Sequence, residues 1–200
     1  CIMNTGDTPV ISKNKMLTTI GYQINGKVAY ALEGSVFIAG AVVQWLRDQL
    51  QMISEASEIE ALAKTVENNG GVTFIPALAG LGAPYWDSEA TGSILGITRG
   101  TNKGHIARAA LEAIALRVME IVTEMQKDAN TTFKSLKVDG GASNNDLLMQ
   151  IQSDLLETEV IRRDRAERGF RPDLVARRPA DLPQAQGSGE EGNRDLQDPR

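Results

Sequence analysis

The run Lys137-Val-Asp-Gly-Gly-Ala-Ser-Asn-Asn145 joins a β-prone segment to a helical one and carries the strongest local signal for chemistry in the chain. Its paired glycines, Gly140 and Gly141, let a ligand approach the main chain closely. Amide N–H groups at the start of the following helix point outward, and the helix dipole favours an anion there. Such a turn can cradle a phosphate or a nucleotide, with Ala142 and Asn145 as its neighbours. It can equally be a tight strand-to-helix turn capped by Ser143 or Asn144. The run fits neither the P-loop nor the dinucleotide-binding glycine pattern.

A second candidate is the pair Gly40 and Gln44, one turn apart in a segment of helical character. Positions i and i+4 share a helix face. A glycine there costs about 1 kcal/mol against alanine, which is reasonable if a group packs closely on it. Gln44 can then hydrogen-bond that group; ordinary close helix packing is the alternative. The single histidine, His105, opens a long helix and suits a capping or surface role. One histidine and one cysteine, Cys1, cannot build a zinc site. Trp45 and Trp86 read as packing residues, and Lys103, Arg108 and Arg117 as a solvated helix face.

The elements that must position these residues alternate between strand and helix. Leu17–Gln23 and Lys27–Leu32 are β-prone runs joined through Asn25-Gly26, a strong hairpin signal. Residues 34–50 show apolar spacing at Val36, Ala39, Val43, Leu46 and Leu50, which predicts a helix capped by Ser35. A second helix is expected over 54–66, with acids in its first turn. Strands are expected at 72–75, 94–98, 135–138 and from 159, with a Gly/Pro-punctuated loop over 76–91. Residues 103–125 predict the longest helix, with Ala107, Leu111, Ile114, Val118, Ile121 and Met125 on one face. A last helix is expected over 144–156. Together they make an α/β layer with a mixed sheet.

Composition divides the chain at Ile161. Residues 1–161 hold 12 Lys+Arg against 18 Asp+Glu, a balance of −6, whereas 162–200 hold 9 Arg against 8 acids, a balance of +1. The latter segment has four of the seven prolines and few large apolar residues, so it offsets little ordering entropy. We expect 162–200 to be a disordered Arg/Pro-rich tail. Its onset in mid-strand reads as a truncated or altered end. The net charge of −5 argues against a dedicated nucleic-acid binder. No apolar run of about 18 residues predicts a membrane span, and a single cysteine fits a reducing compartment such as the cytoplasm.

Gly92-Ser-Ile-Leu-Gly-Ile97, followed by His105-Ile-Ala-Arg-Ala-Ala-Leu-Glu112, resembles the second signature of the FGGY carbohydrate kinases. Tyr30–Asp48, Gly80-Leu-Gly-Ala-Pro-Tyr-Trp-Asp87, Val138–Ala142 and Leu148–Leu156 add to the likeness, and point within that family to the members acting on glycerol. The resemblance spans residues 1–161. It implies an actin-like, ribonuclease-H-like fold of two domains with ATP between them, of which this would be the incomplete C-terminal, ATP-binding domain. It further implies magnesium, phosphoryl transfer from ATP to glycerol, and homo-oligomers among full-length members. Carried over position by position, it assigns nucleotide contacts to Gly40, Gln44, Gly141 and Asn145, with Gly140 and Ala142 beside them. It places the catalytic aspartate and the glycerol-binding groups upstream of Cys1, so no catalytic residue is expected here. A kinase for another polyol, or a non-catalytic module, remains the alternative.

Overall fold

The computed structural model describes residues 1–162 and the backbone of Val175–Ala176. The hairpin forms as the Asn-Gly pair requires. Strand β2 (Leu17–Ile24) turns into β3 (Lys27–Glu33) through Asn25 and Gly26, whose φ values of 51° and 78° give the turn that matches strand twist. Strand β1 (Ile2–Gly6), unforeseen from the sequence, pairs antiparallel with the other edge of β3. Its Met3 lies opposite Leu32, and both are buried.

Helix α1 (Ala41–Asp48) starts later than the apolar spacing predicts. Ser35 does not cap it. Its carbonyl accepts the Ala83 N–H at 3.0 Å, and a Cβ on Gly82 would lie 2.1 Å from that same oxygen. The stretch before Gly40 is therefore tied to the loop 76–91 and held out of the helix. Helix α2 (Glu58–Ala63) is likewise shorter than expected; the Glu58 carboxylate reaches back to the Ser54 N–H at 2.9 Å. Short strands β4 (Thr73–Ile75) and β5 (Ser93–Leu95) pair antiparallel.

Helix α3 (Lys103–Ala129) is the spine. Asn102 accepts the N–H groups of Gly104 and His105, and His105 Nδ1 accepts the Asn102 N–H at 3.1 Å, a reciprocal capping box. That is the capping role expected of His105. Ala107, Ala110, Leu111, Ala115, Ile121 and Met125 are fully buried, because α2 and α4 (Asp146–Leu156) pack on one part of the helix and the first sheet on another. The small alanines set the close approach of those helices. Two apolar clusters result: one among α1 to α4 and β4, the other joining Met3, Met16 and Leu32 to Ile121 and Met125.

Strand β6 (Ser135–Val138) pairs in parallel with β7 (Glu159–Arg162), and β8 (Val175–Ala176) pairs antiparallel with β7. The expected mixed sheet is this one; the other described strands form two antiparallel sheets. The expected disordered tail lies outside the described residues, except at Arg162, which ends β7, and at Val175–Ala176.

Candidate functional site

The site begins where β6 ends. The Asp139 carboxylate accepts the Gly140 N–H at 2.7 Å, and Gly140 sits at φ 93°, ψ 176°, a backbone region open essentially to glycine alone. The chain then makes a 3₁₀ turn over Gly141–Asn144, pinned by the Ser143 hydroxyl donating to the Gly140 carbonyl at 2.7 Å. Neither Ser143 nor Asn144 caps the next helix. Asn145 does: its Oδ1 accepts the Leu148 N–H at 2.8 Å. The cap fixes the orientation of the amide and leaves its NH₂ group as the donor side.

Facing this turn is the start of α1. Gly40 is the N-cap, and a Cβ placed there would stand 3.5 Å from the Ala142 Cβ. Gln44, a turn further along α1, is exposed. Helix α2 closes a third side with Ser57, Ile59 and Glu60, while Leu111, Ile114 and Leu148 form an apolar floor. The cavity, open on one side, measures about 480 Å³, within the range of small-molecule sites. Gly40, Gln44, Gly141, Ala142 and Asn145, candidates from two segments distant in sequence, all line it; Gly140 does not line it but shapes the turn behind it.

The electrostatics correct one expectation. Two of the first amides of α4 are already engaged within the chain. Glu60 Oε2 already accepts the Asp146 N–H at 2.9 Å, and Asn145 has taken that of Leu148. An anion does sit at this helix start, as the dipole favours, but it is the protein's own carboxylate. The cavity thus combines an apolar floor, amide groups on its rim and an acceptor on its α2 wall. This suits a flat uncharged group carrying hydrogen-bond donors better than a phosphate.

Residues 1–170 match the FGGY family of carbohydrate kinases, C-terminal domain. The chain belongs to the FGGY family of carbohydrate kinases. Among its relatives, the glycerol kinase of Deinococcus radiodurans is 59% identical over 161 residues, covering 80% of this chain and 32% of the relative. That of Alkalilimnicola ehrlichii is 58% identical over the same span and coverage. The FGGY chain in hand therefore spans about a third of the length of the curated relatives it matches. A crystal structure of Plasmodium falciparum glycerol kinase with ADP superposes with a TM-score of 0.75 at 40% identity, covering 80% of this chain and 32% of that one. Gluconate kinase from Lactobacillus acidophilus superposes with a TM-score of 0.68 at 26% identity, with the same coverage. The fold expected from the FGGY resemblance, a C-terminal kinase domain of mixed α/β type, is the one observed.

Other expectations fare differently. Arg117 does not belong to a solvated face. It is buried, donates to the Ala83 carbonyl at 2.7 Å, pairs with Glu120 and lies 5.1 Å from the centre of the Tyr85 ring. The Tyr85 hydroxyl donates to Glu120, and that bond, with burial, raises the phenol above its ordinary value. Arg108 pairs with Glu112 along the helix. Trp45 packs edge-on to Phe74, and Trp86 edge-on to Phe37 while donating to the Lys15 carbonyl. The α2 contribution to the cavity, Glu60 above all, was missed. Its acids read as dipole partners of their own helix, and nothing local in sequence marks a carboxylate that serves a helix 86 residues away. Among the described residues no three His, Cys, Asp or Glu side chains come together as a metal-binding group.

Proposed function

We propose that this chain is the nucleotide-binding lobe of a cytoplasmic kinase that transfers the γ-phosphoryl group of ATP to a hydroxyl of glycerol, giving sn-glycerol 3-phosphate. The observation that carries this reading is the convergence of Gly40 and Gln44 with Gly141, Ala142 and Asn145 on one cavity. Gly141 is exposed and a Cβ on it would meet nothing within 4 Å, so the turn leaves open space for a ligand against the main chain. The adenosine of ATP or ADP occupies this cavity, with the Asn145 NH₂ and the Gln44 amide as its polar contacts. The ADP-bound relative supports a nucleotide; identity of 40% to that glycerol kinase, against 26% to a gluconate kinase over the same coverage, supports glycerol as the acceptor.

Phosphoryl transfer asks a protein mainly to position two substrates and to neutralise charge, while a carboxylate accepts the proton of the attacking hydroxyl. The lobe described here supplies the first of these tasks for the nucleotide. The proton acceptor and the glycerol contacts belong to the remaining two thirds that the relatives possess. Magnesium, when bound with ATP, would screen the phosphate charge.

A chimaera tests the reading. Residues 1–161 replace the matching third of the Deinococcus radiodurans glycerol kinase, and ATP-dependent phosphorylation is followed with glycerol, xylulose and gluconate. Glycerol turnover within about tenfold of the parent enzyme, and poor use of the other two, is expected. A folded chimaera that shows no ATP-dependent turnover of glycerol would refute the assignment of this chain as the nucleotide-binding lobe of such a kinase.

A further inference from the structure

Among the described residues, Glu60 is the one charged residue lining the cavity. Its side chain is only 20% exposed and is held at both oxygens: Lys64 Nζ pairs with Oε1 at 2.5 Å and the Asp146 N–H binds Oε2 at 2.9 Å. A carboxylate offers about four lone-pair positions and no donor. Two are used by those partners, so the remainder can engage only a group that brings hydrogens.

The parts of a nucleotide differ in what they bring. Phosphate carries acceptors and negative charge, and a fixed carboxylate repels it. Adenine carries one amino group. The ribose carries two adjacent hydroxyls, spaced to meet the acceptors of a single carboxylate. The other polar groups on the wall (Gln44, Ser57, Asn144 and Asn145) are uncharged and discriminate less between these parts.

We propose that Glu60 is a specificity-determining residue of the cavity: its carboxylate accepts hydrogen bonds from the ribose 2′- and 3′-hydroxyls and excludes phosphate from the α2 side, so the nucleotide enters with its nucleoside inward. This rests on the nucleotide reading above and adds to it an orientation and a sugar preference. Hydrogen bonds to a charged group lose more when the partner is deleted than neutral ones do, so deletion of the diol has a measurable penalty. Glu60→Gln keeps an oxygen for the Asp146 N–H while removing the charge.

The test is titration calorimetry on the full 200-residue chain and on Glu60→Gln, with adenosine, 2′,3′-dideoxyadenosine, purine riboside (which lacks the amino group) and ADP. For the unaltered chain, dideoxyadenosine binds at least about tenfold more weakly than adenosine, and purine riboside within about threefold of it. In Glu60→Gln the penalty for losing the diol falls to about threefold or less, and the ratio of ADP to adenosine affinity rises. Equal binding of adenosine and dideoxyadenosine to the unaltered chain overturns the proposal. So does a diol penalty that survives unchanged in the variant, or a loss confined to purine riboside, which would make the base the partner. Should Glu60→Gln fail to fold, Glu60→Asp, which withdraws the carboxylate by one methylene, takes its place, and a diol penalty unchanged there overturns the proposal. If neither nucleoside nor ADP binds that chain, the nucleotide reading fails and takes this proposal with it.

Discussion

Two adjacent glycines do different work in the turn after β6. Gly140 holds a backbone conformation that side chains resist, whereas Gly141 has ordinary geometry and open space where a Cβ would go. Their substitutions should separate. Gly140→Ala is expected to lower stability by about 1–3 kcal/mol, read by denaturant unfolding, because alanine is strained at that φ. Gly141→Val should leave the unfolding midpoint nearly unchanged yet abolish nucleotide binding, since its methyls project into the cavity. The pairing of glycines was plain in the sequence, but the division of labour was not. Nor was the cap: three polar residues in a row can each serve, and only the 3₁₀ turn shows that Asn145 does.

Among elements, α1 shows where periodicity misleads. Its apolar spacing extends back to Val36, but the residues before Gly40 are spent on a tertiary contact, Ser35 with Ala83. That contact depends in turn on Arg117 of α3, which holds the Ala83 carbonyl. Arg117→Met should therefore cost about 2–4 kcal/mol, as the Ala83 carbonyl loses its donor and the Glu120 carboxylate keeps only the Tyr85 hydroxyl. Matching denaturant curves for the two chains would contradict it. A second tie joins the chain before β2 to the end of α3. Asp128 accepts from the Ser12 hydroxyl, the Lys13 N–H at 2.8 Å and Asn14 Nδ2 at 2.9 Å. Burial pushes its carboxyl upward, but these hydrogen bonds outweigh burial and leave it below the ordinary value of 3.8. The folded state thus holds this proton less tightly than the unfolded chain. Its contribution is complete above the unfolded value of about 3.9 and is lost as pH falls through the lowered folded value. Asp128→Asn should destabilise by about 1 kcal/mol at pH 7, with the difference from the parent shrinking towards pH 3. A gap of equal size at both pH values would exclude the carboxylate as its source.

For the molecule as a whole, the sequence made legible the alternation of strands and helices, the hairpin and the long α3, because each rests on local pattern and turn chemistry. It also made legible the two candidate segments, although not that α1 and the turn after β6 meet across a cavity. The contacts that arrange these parts were illegible for one shared reason. Glu60 with Asp146, Arg117 with Ala83 and Asp128 with Ser12 each join residues far apart in the chain, and nothing in the local sequence marks the partner. The central claim is that this cavity binds the adenosine end of ATP or ADP. It is tested most directly by titration calorimetry of ADP and magnesium into the purified 200-residue chain, beside a Gly141→Asp variant. The account predicts saturable binding in the micromolar-to-millimolar range, about −8 to −4 kcal/mol, that disappears in a variant of unchanged thermal stability. A folded parent chain that takes up no ADP, or a variant that binds it equally well, would contradict the account.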